Sequence, residues 1–140
     1  MTPTMIFATV VFTYFSALGL IMSLLWTFKN TVAYKMLSQA AGFDLQHMAH
    51  TSDQTSKAMK FLLIDFTSQM AGLNLFALLI IWFPFRQGAL WAWFALWFYP
   101  VMFAWHYFHY ARGSRFSKMQ IVYFLLSSVA LIITYTQFIN

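Results

Sequence analysis

Apolar residues fill four long stretches of this chain, about residues 5–28, 61–83, 89–110 and 119–138, and nearly all charge is swept into the connections between them. Each stretch has close to the ~20 residues that an α-helix needs to cross a hydrocarbon core about 30 Å thick. The pattern predicts an all-α membrane protein with four transmembrane helices in an antiparallel bundle, a single membrane domain covering residues 1–140.

Finer patterning predicts the ends and faces of these helices. Thr2-Pro3 supplies a cap and a first-turn proline, so the first helix starts almost at once. Along it Thr9, Thr13, Ser16, Leu20, Ser23 and Thr27 recur at steps of three and four with Gly19 beside them, a small and hydroxylated stripe expected to pack on another span of the chain. In the connection 29–60, Val32, Lys35-Met36-Leu37 and Ala40-Ala41 form a short amphipathic pattern stopped by Gly42, with Phe43 as an interfacial anchor. Another turn or two is expected over Asp44–His50. Thr51-Ser52-Asp53 then offers cap chemistry for the helix leading into the second span. The connection should therefore form short helices lying on the membrane surface. Pro84-Phe85-Arg86-Gln87-Gly88 reads as a tight turn between the second and third spans, and Trp82, Trp91 and Trp93 as an aromatic belt around it.

Charge orients the pattern. Seven of the eight Lys and Arg residues (Lys29, Lys35, Lys57, Lys60, Arg112, Arg115, Lys118) fall in the connections 29–60 and 111–118, and only Arg86 lies on the other side. The positive-inside bias places both basic connections in the cytoplasm and both termini outside. The formal charge of +5 then describes a basic rim that attracts anionic headgroups of the bilayer, not a nucleic-acid surface. A composition 61% hydrophobic and 8% charged excludes a water-soluble domain of this length. The first apolar stretch is too long for a signal core, and no basic residue precedes it, so it is expected to remain as a span; a bacterial inner membrane is the expected location. There is no cysteine and no glutamate, which removes disulfides, thiolate metal sites and a cysteine nucleophile.

The candidate chemistry lies in the few polar residues inside the spans. Asp65 sits about one turn inside the second span, where an ionised carboxylate is costly and is expected to face the bundle and find a partner. Ser68, Gln69 and Gly72 continue its face, while Thr67 and Asn74 form a second polar line on the opposite side, marking this helix as the central one. The third span is more than half aromatic, and Pro100 should kink it, freeing the carbonyl near Leu96. Tyr99, His106 and His109-Tyr110 share a face there, and His106 falls at the same depth as Asp65, so the two are expected to pair. Gln120, Tyr123, Ser127 and Thr134 stripe the fourth span. The ligand- or proton-binding candidates are thus Asp65, His106, His109, Gln69, Tyr99, Gln120 and Tyr123 in a pocket open to the cytoplasm.

Two His-x-x-His pairs, His47/His50 and His106/His109, have a spacing that suits a metal, but four histidines fall short of a membrane di-iron set, and no span faces the third with a histidine for bis-histidine haem. The sequence identifies no cofactor. Phosphate loops, nucleophile elbows and carboxylate pairs are absent, so soluble-enzyme chemistry has no support. Three readings remain. The first is a non-catalytic subunit or assembly factor of a membrane complex, partnered by another membrane protein or by its own copies. The second is an oligomeric proton-coupled transporter working through Asp65, and the third a binder or enzyme for a quinone, haem or other hydrophobic ligand.

Overall fold

The Thr2 side chain accepts the Met5 N–H at 3.4 Å and Pro3 takes the first helical position, so α1 (Pro3–Phe28) begins as the sequence predicts. The architecture that follows, a computed structural model describing residues 1–139, is helical throughout those residues, with no strand. The surface helices α2 (Asn30–Ala41) and α3 (Leu45–Ala49) come next. Gly42 ends α2 in the left-handed conformation at φ 81°, which a residue without Cβ adopts freely. Asp44 caps α3 by accepting the His47 N–H at 2.9 Å, and Ser52 caps α4 (Asp53–Ile80) by accepting the Thr55 N–H at 3.1 Å.

α4 does not stop at its last regular turn. Pro84 has no N–H for the carbonyl four residues earlier, and the backbone widens into a π-helical turn over Ile81–Phe85 before reversing at Gly88, φ 78°. The third apolar stretch divides into α5 (Leu90–Leu96) and α6 (Phe98–His109). The break falls at Trp97 rather than at the proline, which puts Pro100 in the first turn of α6, where a missing N–H costs no helical bond. After the turn capped by Ser114 come α7 (Arg115–Thr134) and the short α8 (Thr136–Ile139). Three helices are long and apolar enough to cross a membrane: α1, α4 with its π turn, and α7.

α1, and not α4 as the sequence suggested, is the central helix: α4 packs on one side of it, α7 on another, and α6 lies along α7. The reason is in the side chains. α1 buries Met5, Ala8, Phe12, Phe15, Ser16 and Ser23, whereas α4 presents to protein only the line of Leu63, Thr67, Asn74, Ala77 and Ile80. α1 and α4 approach closely at Gly19, where an added Cβ would stand 2.5 Å from the Asn74 amide. In a bilayer, where burial of apolar surface drives little, such close approach is what holds helices together.

An aromatic core joins all the long elements: Phe12 meets Phe85 edge-on at 6.0 Å between centroids, and Phe15 meets Phe103 at 4.9 Å and Tyr123 at 5.2 Å. Trp82 and Trp91 are exposed as a belt would be. Trp93 departs from that expectation: it is buried, and its indole N–H donates to the Leu131 carbonyl at 2.9 Å, tying α5 to α7. At the opposite end, the basic one, Ala33, Tyr34, Ala49 and Leu63 form a smaller cluster with Trp26, Leu37 and Met59 that fastens α2 and α3 beneath α1 and α4. There the Ala111 N–H donates to the Ala40 carbonyl at 2.7 Å, joining the two basic connections.

Candidate functional site

The two faces of α4 settle their polar residues in opposite ways, and the difference defines the candidate site. The inner line of α4 is fully used: Thr27 donates to the Thr67 hydroxyl at 2.8 Å, Thr67 donates on to the Ile64 carbonyl at 3.1 Å, and Asn74 donates to the Met70 carbonyl at 2.7 Å. On α1, Ser16 donates to the Phe12 carbonyl at 2.9 Å and accepts the proton of the buried Tyr99 hydroxyl from α6. Ser16, Thr67 and Asn74 are buried and bonded, so they fix helix positions and offer little to a ligand.

The outer line of α4 is the reverse. Asp65, Ser68 and Gln69 are exposed and Gly72 has open space in front of it. The Asp65 carboxylate accepts a hydrogen bond from the Gln69 amide at 2.9 Å, and the Ser68 hydroxyl turns back to the Ile64 carbonyl at 2.8 Å. Around this patch stand Phe61, Leu62, Leu73 and Phe76, each 43% exposed or more, which are side chains suited to lipid. Asp65 lies four residues beyond Phe61, about 6 Å deeper at 1.5 Å per residue. A carboxylate with a donor one turn on, followed by a small pair at 68 and 72, thus sits on an otherwise apolar surface.

Asp65 and His106, expected to pair, are not brought together. α4 packs against α1 and α6 against α7, and α4 and α6 share no substantial contact. His106 is half-buried and stacks on Tyr110 at 5.1 Å, while His109 is exposed, stacks on Trp105 at 4.2 Å and has Nδ1 2.8 Å from the Trp105 carbonyl. Tyr99 belongs to the core with Ser16, and Tyr123 packs on Phe15 and Phe103. Gln120 is buried with its Oε1 unpartnered, on α7 and apart from Asp65. The expected common pocket of Asp65, Gln69, His106, His109, Gln120, Tyr99 and Tyr123 is therefore dispersed over three helices. His47 and His50 are exposed on or beside α3, and among the described residues no three His, Asp or Glu side chains gather as a metal set.

Two cavities lie at the end away from the basic connections. One, of about 450 Å³, is a polar basin among Thr2, Arg86, Gln87, Gly88 and Gln137; the other, of about 560 Å³, is an apolar groove along Ile6, Val10, Thr13, Tyr14 and Trp82. Met1 and Arg86 line both. The sequence marks this place only by a lone cation beside a tryptophan, and depth arguments drew attention to the other end. No family model, no curated protein and no solved structure matches this chain.

Proposed function

We propose that this chain is a non-catalytic, membrane-embedded subunit that docks the outer face of α4 against a transmembrane helix of another protein. The observation that carries the proposal is the exposed carboxylate of Asp65 within an apolar span. A charge facing hydrocarbon costs up to about 3 kcal/mol at mid-membrane and less one turn in, and one bond from Gln69 does not replace hydration. A partner helix offering a cation or a hydrogen-bond donor removes that cost, and Ser68 with Gly72 lets its backbone come close. A second copy of this chain suits the face less well, because a parallel pairing through Ser68 and Gly72 sets two carboxylates side by side.

In this reading α5 and α6 together make the fourth crossing. Their span from Leu90 to His109 matches the ~20 residues a bilayer requires. The basic connections face the cytoplasm of a bacterial cell and attract anionic lipid, and both termini face outward. With no native cysteine, single cysteines report this directly: Gln87→Cys should react with an impermeant maleimide on intact cells, and Ser114→Cys only after lysis.

The docking test places a photoreactive amino acid at position 72 and, as a control, at Met102 of α6. Crosslinking from 72 to one protein species, lost in Asp65→Leu and absent from 102, supports the reading. Crosslinking to a second copy of this chain, or none from a chain that stays folded, overturns it. A proton-coupled flux in proteoliposomes that disappears in folded Asp65→Asn would favour the transporter instead.

A further inference from the structure

The polar basin and the apolar groove meet at two residues, Met1 and Arg86, and that junction has the shape of an amphiphile. We infer that they form a single site for an anionic phospholipid, with its phosphate on the Arg86 guanidinium and one acyl chain along α1. The site is independent of the α4 docking face, at the other end of the helix.

Three observations carry the inference. The first is the division of lining: Thr2, Gln87 and Gln137 surround the basin together with Met5, while Ile6, Val10, Tyr14 and Trp82 line the groove, with Arg86 and Met1 common to both. Both volumes, about 450 and 560 Å³, fall in the range of known ligand pockets. The second is charge. The chain has three acidic residues, Asp44, Asp53 and Asp65, and all lie at or near the basic end. Among the described residues the one ion pair is Lys57 with Asp53, at 2.6 Å. Arg86 has no carboxylate side chain within reach, and a planar guanidinium with free donors is suited to bidentate contact with phosphate oxygens.

The third is how Arg86 is held. Its guanidinium lies 4.8 Å over the Trp82 ring, and its Nε donates to the Met1 thioether at 3.2 Å, a weak acceptor. These contacts aim the side chain along the boundary between basin and groove and leave both terminal nitrogens without an oxygen partner among the described residues. In the groove the Thr13 hydroxyl is also without a partner, although Thr9, one turn earlier, bonds back to the Met5 carbonyl at 2.7 Å.

Native mass spectrometry of the delipidated protein tests this with phosphatidylglycerol, phosphatidylcholine and oleate, each added separately. One phosphatidylglycerol should bind per chain, at least about tenfold more tightly than phosphatidylcholine, whose quaternary ammonium lies beside the same phosphate and repels the guanidinium. Arg86→Ala should abolish the preference. Val10→Trp, which fills the groove and keeps the cation, should weaken the adduct, while Arg112→Ala with Arg115→Ala at the basic end should not. Equal binding of the two phospholipids, tighter binding of oleate than of phosphatidylglycerol, or loss of the adduct in the Arg112/Arg115 variant alone would each overturn the inference. An adduct unchanged in Val10→Trp would do so too.

Discussion

α1 and α4 are alike in sequence and unlike in fate. Both are long apolar helices with small and polar residues at helical spacing, yet the stripe of α1 is buried at Thr9, Ser16 and Ser23, while α4 buries Thr67 and Asn74 and leaves Asp65, Ser68 and Gln69 outside. The difference arises from neighbours. α1 has helices on several sides, and its hydroxyls are short enough to bond their own backbone when they are enclosed. α4 packs chiefly on α1, with α2 and α3 touching only its basic end, and a carboxylate has no such backbone solution because it cannot donate. The chemistry of each stripe follows its surroundings: Thr9, Ser16, Thr67 and Asn74 bond to backbone carbonyls of their own helices, whereas the Asp65 carboxylate stays exposed with one bond from Gln69.

Breaking the inner contact should have the largest effect. Gly19→Leu places a branched side chain where even a Cβ would stand 2.5 Å from the Asn74 amide. Such overpacking costs about 1–3 kcal/mol and occasionally more. A large fall in the detergent unfolding midpoint is expected, and Asn74→Ala should recover part of it in the milder Gly19→Ala background. Gly72→Leu, the same change in open space on the same pair of helices, should alter that midpoint by less than about 0.5 kcal/mol while removing the crosslink at the docking face. If Gly72→Leu destabilises the isolated chain as Gly19→Leu does, the two faces of α4 are not different.

The outer face itself offers the next effect in size. Asp65→Leu should make insertion of this span more favourable, by less than the ~3 kcal/mol assigned to mid-membrane acids because Asp65 is only a turn deep. The readout is a glycosylation-mapped insertion assay of the span. An unchanged insertion fraction would mean that the carboxylate reaches water at the interface.

Much of the fold was legible in the sequence, because helix ends are local chemistry. Thr2-Pro3, Gly42, Ser52 and Gly88 act where cap and turn rules put them, and the surface helices α2 and α3 follow from those stops. The candidate site was half legible. Asp65, Gln69, Ser68 and Gly72 do share a face, since spacing along one helix fixes that. Which face meets the bundle depends on helix order, and depth counted along the sequence cannot give it: Asp65 is on α4, which packs on α1, and His106 on α6, which packs on α7. The break at Trp97, ahead of Pro100, also escaped, because sequence shows which bond a proline removes and not where the helix will restart. Arg86 was read as a topology marker because its partners, Met1 and the basin, come from the far end of another helix.

A smaller effect tests whether burial of hydroxyls on the inner side is held by their bonds. Ser16→Ala strands the Tyr99 hydroxyl in the aromatic core and should cost about 1–3 kcal/mol, the usual size for a buried group left without a partner. Adding Tyr99→Phe should return most of it, since removing both partners is nearly neutral. The coupling between the two changes, read from a double-mutant cycle of detergent unfolding, is the quantity of interest. A coupling near zero would show that shape alone positions α6 on α1.

Tyr34 carries the comparison one step beyond the spans, as a hydroxyl that is buried like that of Tyr99 but has no partner at all. If an enclosed polar group helps only when it is bonded, Tyr34→Phe should leave stability unchanged or raise it by up to about 1 kcal/mol, in contrast to Ser16→Ala. Burial also pushes the Tyr34 phenol above its ordinary value of 10.0. The folded state then holds the proton more firmly than the unfolded state, so its contribution is fully present below pH 10 and is lost as pH rises toward the folded value. The unfolding midpoint of the parent should fall above pH 10, and Tyr34→Phe should remove part of that fall. A Phe variant that is less stable at neutral pH, with the alkaline fall intact, would mean that the Tyr34 hydroxyl is bonded through water in the small cluster beneath α1 and α4, and that the rule separating bonded from unbonded hydroxyls stops at the membrane surface.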